Sequence, residues 1–237
     1  MNKEQLISEL EKINVNMTEE QMKMIEEFCF FLIEESKKTN LTAIKTTEEI
    51  FLKHIYDSLT LSKAVNFKEI NSVLDIGSGA GFPGIILKIV YPHLNMTLLD
   101  SNNKKCVYLN KVINKFSLKN IEVINIRAEN YNRREYFDLV TARAVTNLRV
   151  LSELSLPFVK VNGYFIALKS HIKEELLDAN EAIEILNCEI KRVIEFKLPF
   201  ENSIRNLVVI EKISETPLIY PRSYDKIIRN PLKKKSK

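Results

Sequence analysis

Glycine is scarce in this chain: five among 237 residues, where average usage of about 7% would supply roughly 17. Four of the five, Gly77, Gly79, Gly81 and Gly84, fall within eight residues, and the fifth is Gly163. A chain that avoids glycine elsewhere needs backbone freedom, or close approach of something to the backbone, at that one place. Tryptophan is absent, so stacking on any planar ligand falls to Phe or Tyr. Cys29, Cys106 and Cys188 lie far apart with no C-x-x-C. That spacing excludes a disulfide framework or a zinc knuckle and leads us to expect a reducing cytoplasm and no metal site. The longest apolar run, Phe28 to Ile33, is far short of the ~18 residues of a membrane span. Met1-Asn2-Lys3-Glu4-Gln5 shows no basic-then-apolar leader, and no membrane partner is expected.

What is present is ordinary in bulk and uneven in detail. Hydrophobic residues make up 45% and charged residues 28%, which excludes a wholly disordered chain. The length suits one domain of about 150 residues with an appendage. Residues 220–237 carry Arg222, Lys226, Arg229, Lys233, Lys234, Lys235 and Lys237 against Asp225 alone, and the remaining residues are weakly acidic. A basic tail on an acidic body suggests a polyanionic partner, unless the tail is simply a solvated terminus.

Residues 1–70 read as a helical cap. Leu6, Ile7, Leu10 and Ile13 recur at helical spacing, and Thr18 with Gln21 forms a capping-box signature. A third helix is expected from about Thr46, carrying Ile50, Phe51, Ile55 and Leu59, with Asn40 to Ile44 as a connector. Over residues 71–219 the pattern becomes short apolar strands alternating with amphipathic helices. Strands are expected at Val73–Ile76, Met96–Asp100, Ile121–Ile126, Phe137–Val140 and Gly163–Leu168, with helices near 83–91, 103–116, 147–160 and 171–187. Such alternation implies a parallel sheet covered on both faces. Ile190 to Leu198 and Asn206 to Ile213 then fit an antiparallel hairpin at one edge, for seven strands in all.

Val73-Leu74-Asp75-Ile76-Gly77-Ser78-Gly79-Ala80-Gly81-Phe82-Pro83-Gly84 is a strand running into glycines and then a helix. In open parallel sheets, ligands bind where such loops leave the strand ends. Gly79 to Gly84 matches G-x-G-x-x-G, the dinucleotide fingerprint; Asp75 to Gly81 matches the competing D-x-G-x-G-x-G. A pyrophosphate would be repelled by a carboxylate at the strand end, whereas the sulfonium and ammonium of S-adenosylmethionine would be attracted by Asp75. Such a pair is worth up to ~4 kcal/mol at about 4 Å before desolvation. Asp100, at the end of the second strand, is placed to accept adenosine ribose hydroxyls from either cofactor. Ala128 and Glu129, after the third strand, are candidates for the adenine edge, although Glu129 alone would suit a helix start.

These residues resemble a known family. Leu74 to Gly84 looks like the cofactor motif of Rossmann-like class I S-adenosylmethionine-dependent methyltransferases. The flanking segments narrow the likeness to the RsmG (GidB) family of bacterial 16S rRNA (guanine-N7)-methyltransferases. They are Asn40-Leu41-Thr42-Ala43, His54 to Leu59, Leu98-Leu99-Asp100-Ser101, Lys104-Lys105, Arg127-Ala128-Glu129, Arg143-Ala144, Leu168-Lys169 and Tyr220-Pro221-Arg222. The resemblance implies that Gly77, Phe82, Ala128, Glu129 and Arg143 contact the cofactor; Asp75, Gly79 and Asp100 join them as cofactor-binding candidates on the reading of the glycine loop and strand ends given above. It also implies a target guanine in the small-subunit rRNA loop near the decoding centre. Three departures stand out: Ser170 where the family has Gly, and Asp225 and Ile227 where its basic tail has Gly and Pro.

Guanine N7 carries an in-plane lone pair and no proton to lose, so its methylation needs alignment and a suitable field rather than a general base. Accordingly, no acid–base dyad is expected. No cysteine lies in a Pro-Cys pair, and the place of an amine-methylating Asn/Asp-Pro-Pro-Tyr/Phe reads Thr141-Ala142-Arg143-Ala144. Arg143, at the end of the fourth strand, is the candidate to hold the cofactor carboxylate, guanine O6 or a phosphate. Its replacement by Ala should abolish transfer with the fold intact. Lys169 is a candidate phosphate contact, with Lys104, Lys105 and the tail as the RNA-facing charges. His54 and Asp57 would form a local pair or stand at the site mouth, and His93 and His171 would lie on the surface. The reading is a monomeric enzyme acting on 16S rRNA or the small subunit. Its rivals are the same fold acting on a small molecule or protein, an NAD-dependent dehydrogenase, and a silent RNA-binding module.

Overall fold

Two capping boxes open the chain. Asn2 and Gln5 exchange side-chain and backbone bonds at the start of α1 (Lys3–Glu11), as Thr18 and Gln21 do at α2 (Glu19–Ser36), which satisfies backbone donors that a helix N-terminus leaves open. The computed structural model describes residues 1–143, 145–170 and 172–233. The expectations for Ala144, His171 and lysines 234, 235 and 237 concern residues outside that set.

The third helix begins where expected, with Thr46 capping α3 (Thr47–Ile50), but it does not continue as a regular α-helix. It widens into a π-helical segment, Phe51–Tyr56, before α4 (Asp57–Leu59) and a 3-10 turn, Thr60–Lys63. Short π segments inside helices recur at functional sites, and this one carries Lys53 and His54.

From Ser72 the chain builds a seven-stranded sheet. Its strands are β1 (Ser72–Ile76), β2 (Asn95–Asp100), β3 (Ile121–Asn125), β4 (Phe137–Arg143), β5 (Val159–Lys169), β6 (Cys188–Lys197) and β7 (Ile204–Lys212). The spatial order is β3-β2-β1-β4-β5-β7-β6. The first five strands run parallel, and β7 pairs antiparallel with both β5 and β6. The crossover helices are α5 (Gly84–Val90), α6 (Asn103–Lys115), α7 (Leu148–Ser155) and α8 (Lys173–Ile185). The fourth and fifth strands are longer than their apolar runs suggested, and the helix expected over 147–160 stops at Ser155. Pro157 then sits in a 3-10 turn, and β5 starts at Val159. Proline lacks the N–H that a continuing helix would require.

One apolar core unites the cap, including Leu6, Phe28, Leu32 and Ile55, with α5, α6 and sheet residues such as Leu98 and Ile166. A second core, on the other face, joins the sheet to α7 and α8 and takes in Ile227 and Leu232 from the C-terminal segment. That segment, with α9 (Tyr224–Arg229), is therefore docked. Ile227, one of the departures from the family pattern, is wholly buried. Arg222 forks onto the buried Glu153 at 2.8 and 2.7 Å. Lys226, Arg229 and Lys233 remain exposed.

Candidate functional site

Strand order reverses between β1 and β4, and a crevice opens at such a switch point. Here it is a cleft of about 700 Å³ lined on one side by Gly77, Ser78, Gly79, Ala80, Phe82 and Lys105. The other side is built from Leu41, Thr42, Lys53, His54, Asp57, Arg143, Leu168, Lys169, Ser170, Glu175 and Arg205.

The first wall is mostly backbone. Gly79 has φ +57, and a Cβ placed there would meet nothing closer than the Gly77 carbonyl oxygen at 3.7 Å. Left-handed geometry with open space above it is a surface that a ligand can approach closely. Gly84 is glycine for a different reason: a Cβ would lie 2.3 Å from Leu98 Cδ2 and 2.8 Å from Asp75 Oδ2.

Asp75 departs from expectation. It does not face the cleft as a counter-charge but is fully buried beneath the loop, its Oδ2 accepting from the Gly84 N–H at 3.0 Å. Alternation along β1 aims it under the glycine turn at the start of α5. Its Oδ1 has no hydrogen-bond partner among the described residues, and burial pushes the carboxyl up to about 7. Asp100 is likewise tied to backbone. Its Oδ2 accepts from the Gly79 N–H at 2.9 Å and its Oδ1 from the Asn102 N–H at 2.8 Å. It props the loop and keeps spare lone pairs. Ala128 and Glu129 sit in a 3-10 turn after β3, Ala128 buried and Glu129 half-buried. The structure brings Gly77, Gly79, Phe82, Arg143 and Lys169 together in the cleft lining; Asp75, Asp100, Ala128 and Glu129 lie outside it.

The second wall is a side-chain cluster centred on Arg143. Its Nη1 donates to the Lys53 carbonyl at 3.0 Å and to Asp57 Oδ2 at 3.2 Å, and its Nη2 lies 3.1 Å from His54 Nδ1. The guanidinium also stands 5.1 Å from the centroid of the Phe82 ring, which packs against the His54 imidazole at 4.4 Å. His54 and Asp57 do not bond to each other as a local pair: the widened helical turn points both at Arg143. His54 Nδ1 also lies 3.0 Å from the Lys53 carbonyl oxygen, and Nε2 lies 3.0 Å from Thr42 Oγ1, so the ring is fixed from both sides. Burial and the Arg143 charge lower the His54 pKa to about 3, so the ring is neutral at physiological pH.

Asp57 also meets Arg205 Nε, at 3.4 Å from its Oδ1. Burial pushes the Asp57 carboxyl upward, and the two guanidiniums oppose that rise. Lys169 is not a free phosphate contact. Its ammonium binds Glu175 Oε2 at 2.7 Å and the Thr146 carbonyl, because Glu175 at the start of α8 faces the end of β5. Lys53 pairs with Glu49 at 3.1 Å and Glu201 at 3.0 Å. Lys105 is the lining cation with no carboxylate within 4.0 Å among the described residues. Arg205, Glu175 and Lys53 went unread in the sequence, where each is one charge among many.

The model of the family described as GidB, rRNA small subunit methyltransferase G, matches residues 21–208. This chain belongs to that family. It is 44% identical over 227 residues to the ribosomal RNA small subunit methyltransferase G of Bacillus subtilis (strain 168), covering 94% of this chain and 95% of the relative. It is 46% identical over 212 residues to the protein of the same name from Thermoanaerobacter sp. (strain X514), covering 87% and 88%. Among solved structures, a SAM-dependent methyltransferase from Aquifex aeolicus aligns with TM-score 0.54 at 20% identity, over 76% of this chain and 98% of that one. An O-methyltransferase domain from Brevibacillus brevis, in complex with S-adenosyl-L-homocysteine, aligns with TM-score 0.55 at 13% identity, over 68% and 72%. At those identities the structural likeness establishes the class I methyltransferase fold. Membership of the family rests on the sequence matches. No helix among the described residues is long and apolar enough to cross a membrane, and no group of His, Cys, Asp or Glu among them could hold a metal.

Proposed function

We propose that this protein transfers the methyl group of S-adenosylmethionine to N7 of a guanine in 16S rRNA, in the small-subunit loop near the decoding centre. One observation carries the reading. A fixed guanidinium, Arg143, stands across a narrow cleft from an open, left-handed glycine turn. The turn suits close approach of a cofactor's methionine portion, and the guanidinium suits an incoming guanine edge or the cofactor carboxylate.

The residues present fit the cofactor. Gly77, Gly79 and Phe82 would line its central portion, Asp100 keeps lone pairs for ribose hydroxyls, Ala128 and Glu129 would meet adenine, and Arg143 would reach its carboxylate end. Asp75, buried beneath the loop, would act by holding the turn through the Gly84 N–H rather than by direct contact. When bound, S-adenosylmethionine supplies an electrophilic methyl group on a sulfonium. The chain's own part is orientation. Arg143, fixed by Lys53, His54 and Asp57, holds a donor fork at the end of β4, and Phe82 closes the apolar side of the cleft. No proton need leave N7, so the neutral His54 is needed only to position Arg143.

The charges proposed to face rRNA phosphates are Lys105 in the cleft and Lys104, Lys226, Arg229 and Lys233 outside it. Deleting residues 233–237 should weaken RNA affinity and flatten its salt dependence. A cytoplasmic monomer completes the proposal, consistent with three free, buried cysteines. Incubation with labelled methyl donor and small ribosomal subunits, followed by mass-spectrometric mapping, should yield 7-methylguanosine at one rRNA position. Label on C5 or on an exocyclic amine, or turnover without RNA, would overturn the reading.

A further inference from the structure

A second recess, of about 380 Å³, is lined by Lys63, Lys68 and Arg192 and by no carboxylate. The chain before residue 220 is weakly acidic, so a recess bearing only positive charge runs against the average of that surface. Its floor is rigid. Lys63 closes the 3-10 turn Thr60–Lys63, Asn66 caps the next one, Phe67–Glu69, and the buried Phe67 ring stacks on Tyr91 at 4.4 Å. Arg192 follows a register shift between β6 and β7 at Ile190. Such bulges re-aim side chains, and Arg192 reaches across to donate to the Ala64 carbonyl. Lys63 is half-buried, its ammonium 5.6 Å from the centroid of the Phe196 ring, and it meets no carboxylate among the described residues. Burial lowers its pKa with no acid to oppose the shift. A cation held partly out of water without a counter-charge costs stability, and a neutral side chain would pack on Phe196 without that cost.

Two routes tie this recess to the cleft. Asp57, in the cleft lining, and Lys63 stand at the two ends of one continuous helical run, about 11 Å long at the rises of α and 3-10 turns. Across the sheet edge, Phe196 under Lys63 stands opposite Arg205, which also lines the cleft. We infer that Lys63, Lys68 and Arg192 hold a backbone phosphate of the rRNA strand whose target base enters the cleft. The inference rests on the rRNA reading above. Ammonium and guanidinium groups give a phosphate charge-assisted hydrogen bonds, and the phosphate supplies the counter-charge that Lys63 lacks. Such a contact reads no sequence; it fixes the register of the strand, so that the base arrives at Arg143. The recess belongs to the cap side of the sheet, whereas the C-terminal segment docks on the other face. The strand is therefore held from both sides of the cleft.

The test measures KM for small ribosomal subunits, kcat, and calorimetric affinity for S-adenosylhomocysteine. It compares Lys63→Gln/Lys68→Gln with a charge-matched control, Lys23→Gln/Lys119→Gln, whose lysines are exposed elsewhere on the surface. In 0.1 M salt the recess variant should raise KM about 10-fold or more, and the slope of log KM against log salt should fall by about 1.5. Its kcat and S-adenosylhomocysteine affinity should stay within about 2-fold of wild type, and the control should shift KM by less than about 2-fold. Lys63→Met separates binding from structure. It removes an unpaired, half-buried charge, so Tm should hold or rise while KM still increases about 3-fold or more. A lower Tm with wild-type KM overturns the inference, as does a recess variant that behaves like the control. The wild-type arm keeps the two levels apart. No 7-methylguanosine in small subunits refutes the parent reading, whereas 7-methylguanosine formed with unchanged KM in the recess variant refutes only the phosphate contact.

Discussion

The two walls of the cleft are built on opposite principles. The glycine-turn wall is local, from residues within a few positions of one another, and its polar surface is backbone braced from beneath by Asp75 and Asp100. The Arg143 wall is assembled from the end of β4, the π-helical segment, the connector after α2 and the start of β7. Arg143 and Asp57 are 86 residues apart. A backbone wall tolerates many ligands and depends on conformation. A side-chain wall carries charge and selectivity and depends on every partner remaining in place. Under the proposed function, the backbone wall would cradle the cofactor and the side-chain wall would meet charged or polar groups of cofactor and substrate.

The sharpest way to break the comparison is at its charged centre. Arg143→Ala should reduce methyl transfer to background, measured by label incorporation into small subunits. Because Asp57 would keep only Arg205, Tm should also fall by a few degrees in a thermal melt. Arg143→Lys should retain more stability but still lose transfer, since an ammonium lacks the planar fork.

The braced wall should respond instead through stability, and through pH. Asp75 titrates near 7 in the folded chain and near 3.9 when unfolded. A raised folded pKa gives stability that is fully present below about pH 4 and is lost as pH rises toward 7. Asp75→Asn should remove that dependence. The difference in unfolding free energy between mutant and wild type should grow across this window by up to about 4 kcal/mol. A flat difference from pH 4 to 8 in urea titrations would show that the buried carboxyl is not coupled to folding.

The smallest effects should separate two glycines of one loop. Gly84→Ala overpacks against Leu98 and Asp75 and should cost about 2–3 kcal/mol. Gly79→Ala meets open space but strains φ +57 and should cost only about 1 kcal/mol, while weakening S-adenosylmethionine binding by calorimetry. Equal losses of stability would mean that the turn, not the packing beneath it, limits both.

Much of this architecture was legible in the residues. The strands Val73–Ile76 and Met96–Asp100 announce themselves as apolar runs, and the Thr18–Gln21 capping box falls where its signature placed it. The glycine cluster located the cleft, because only a demand on the backbone explains such clustering in a glycine-poor chain. Orientation was less legible. Asp75 was read as facing the ligand and lies under the loop; Lys169 was read as a candidate phosphate contact and is paired with Glu175. The expected His54–Asp57 pair gave way to a shared partner, since a π-helical widening leaves no mark in composition. The basic tail was read by its charge, whereas Ile227 and the Arg222–Glu153 contact dock part of it.

Element order, the parallel sheet and the place of the cofactor turn were therefore set by pattern alone, because periodic burial and backbone freedom are properties of neighbouring residues. Which charged groups face each other was decided only when β4, β7 and the cap closed around one cleft. Pairing energies depend on distances between residues far apart in the chain, and no local pattern encodes them.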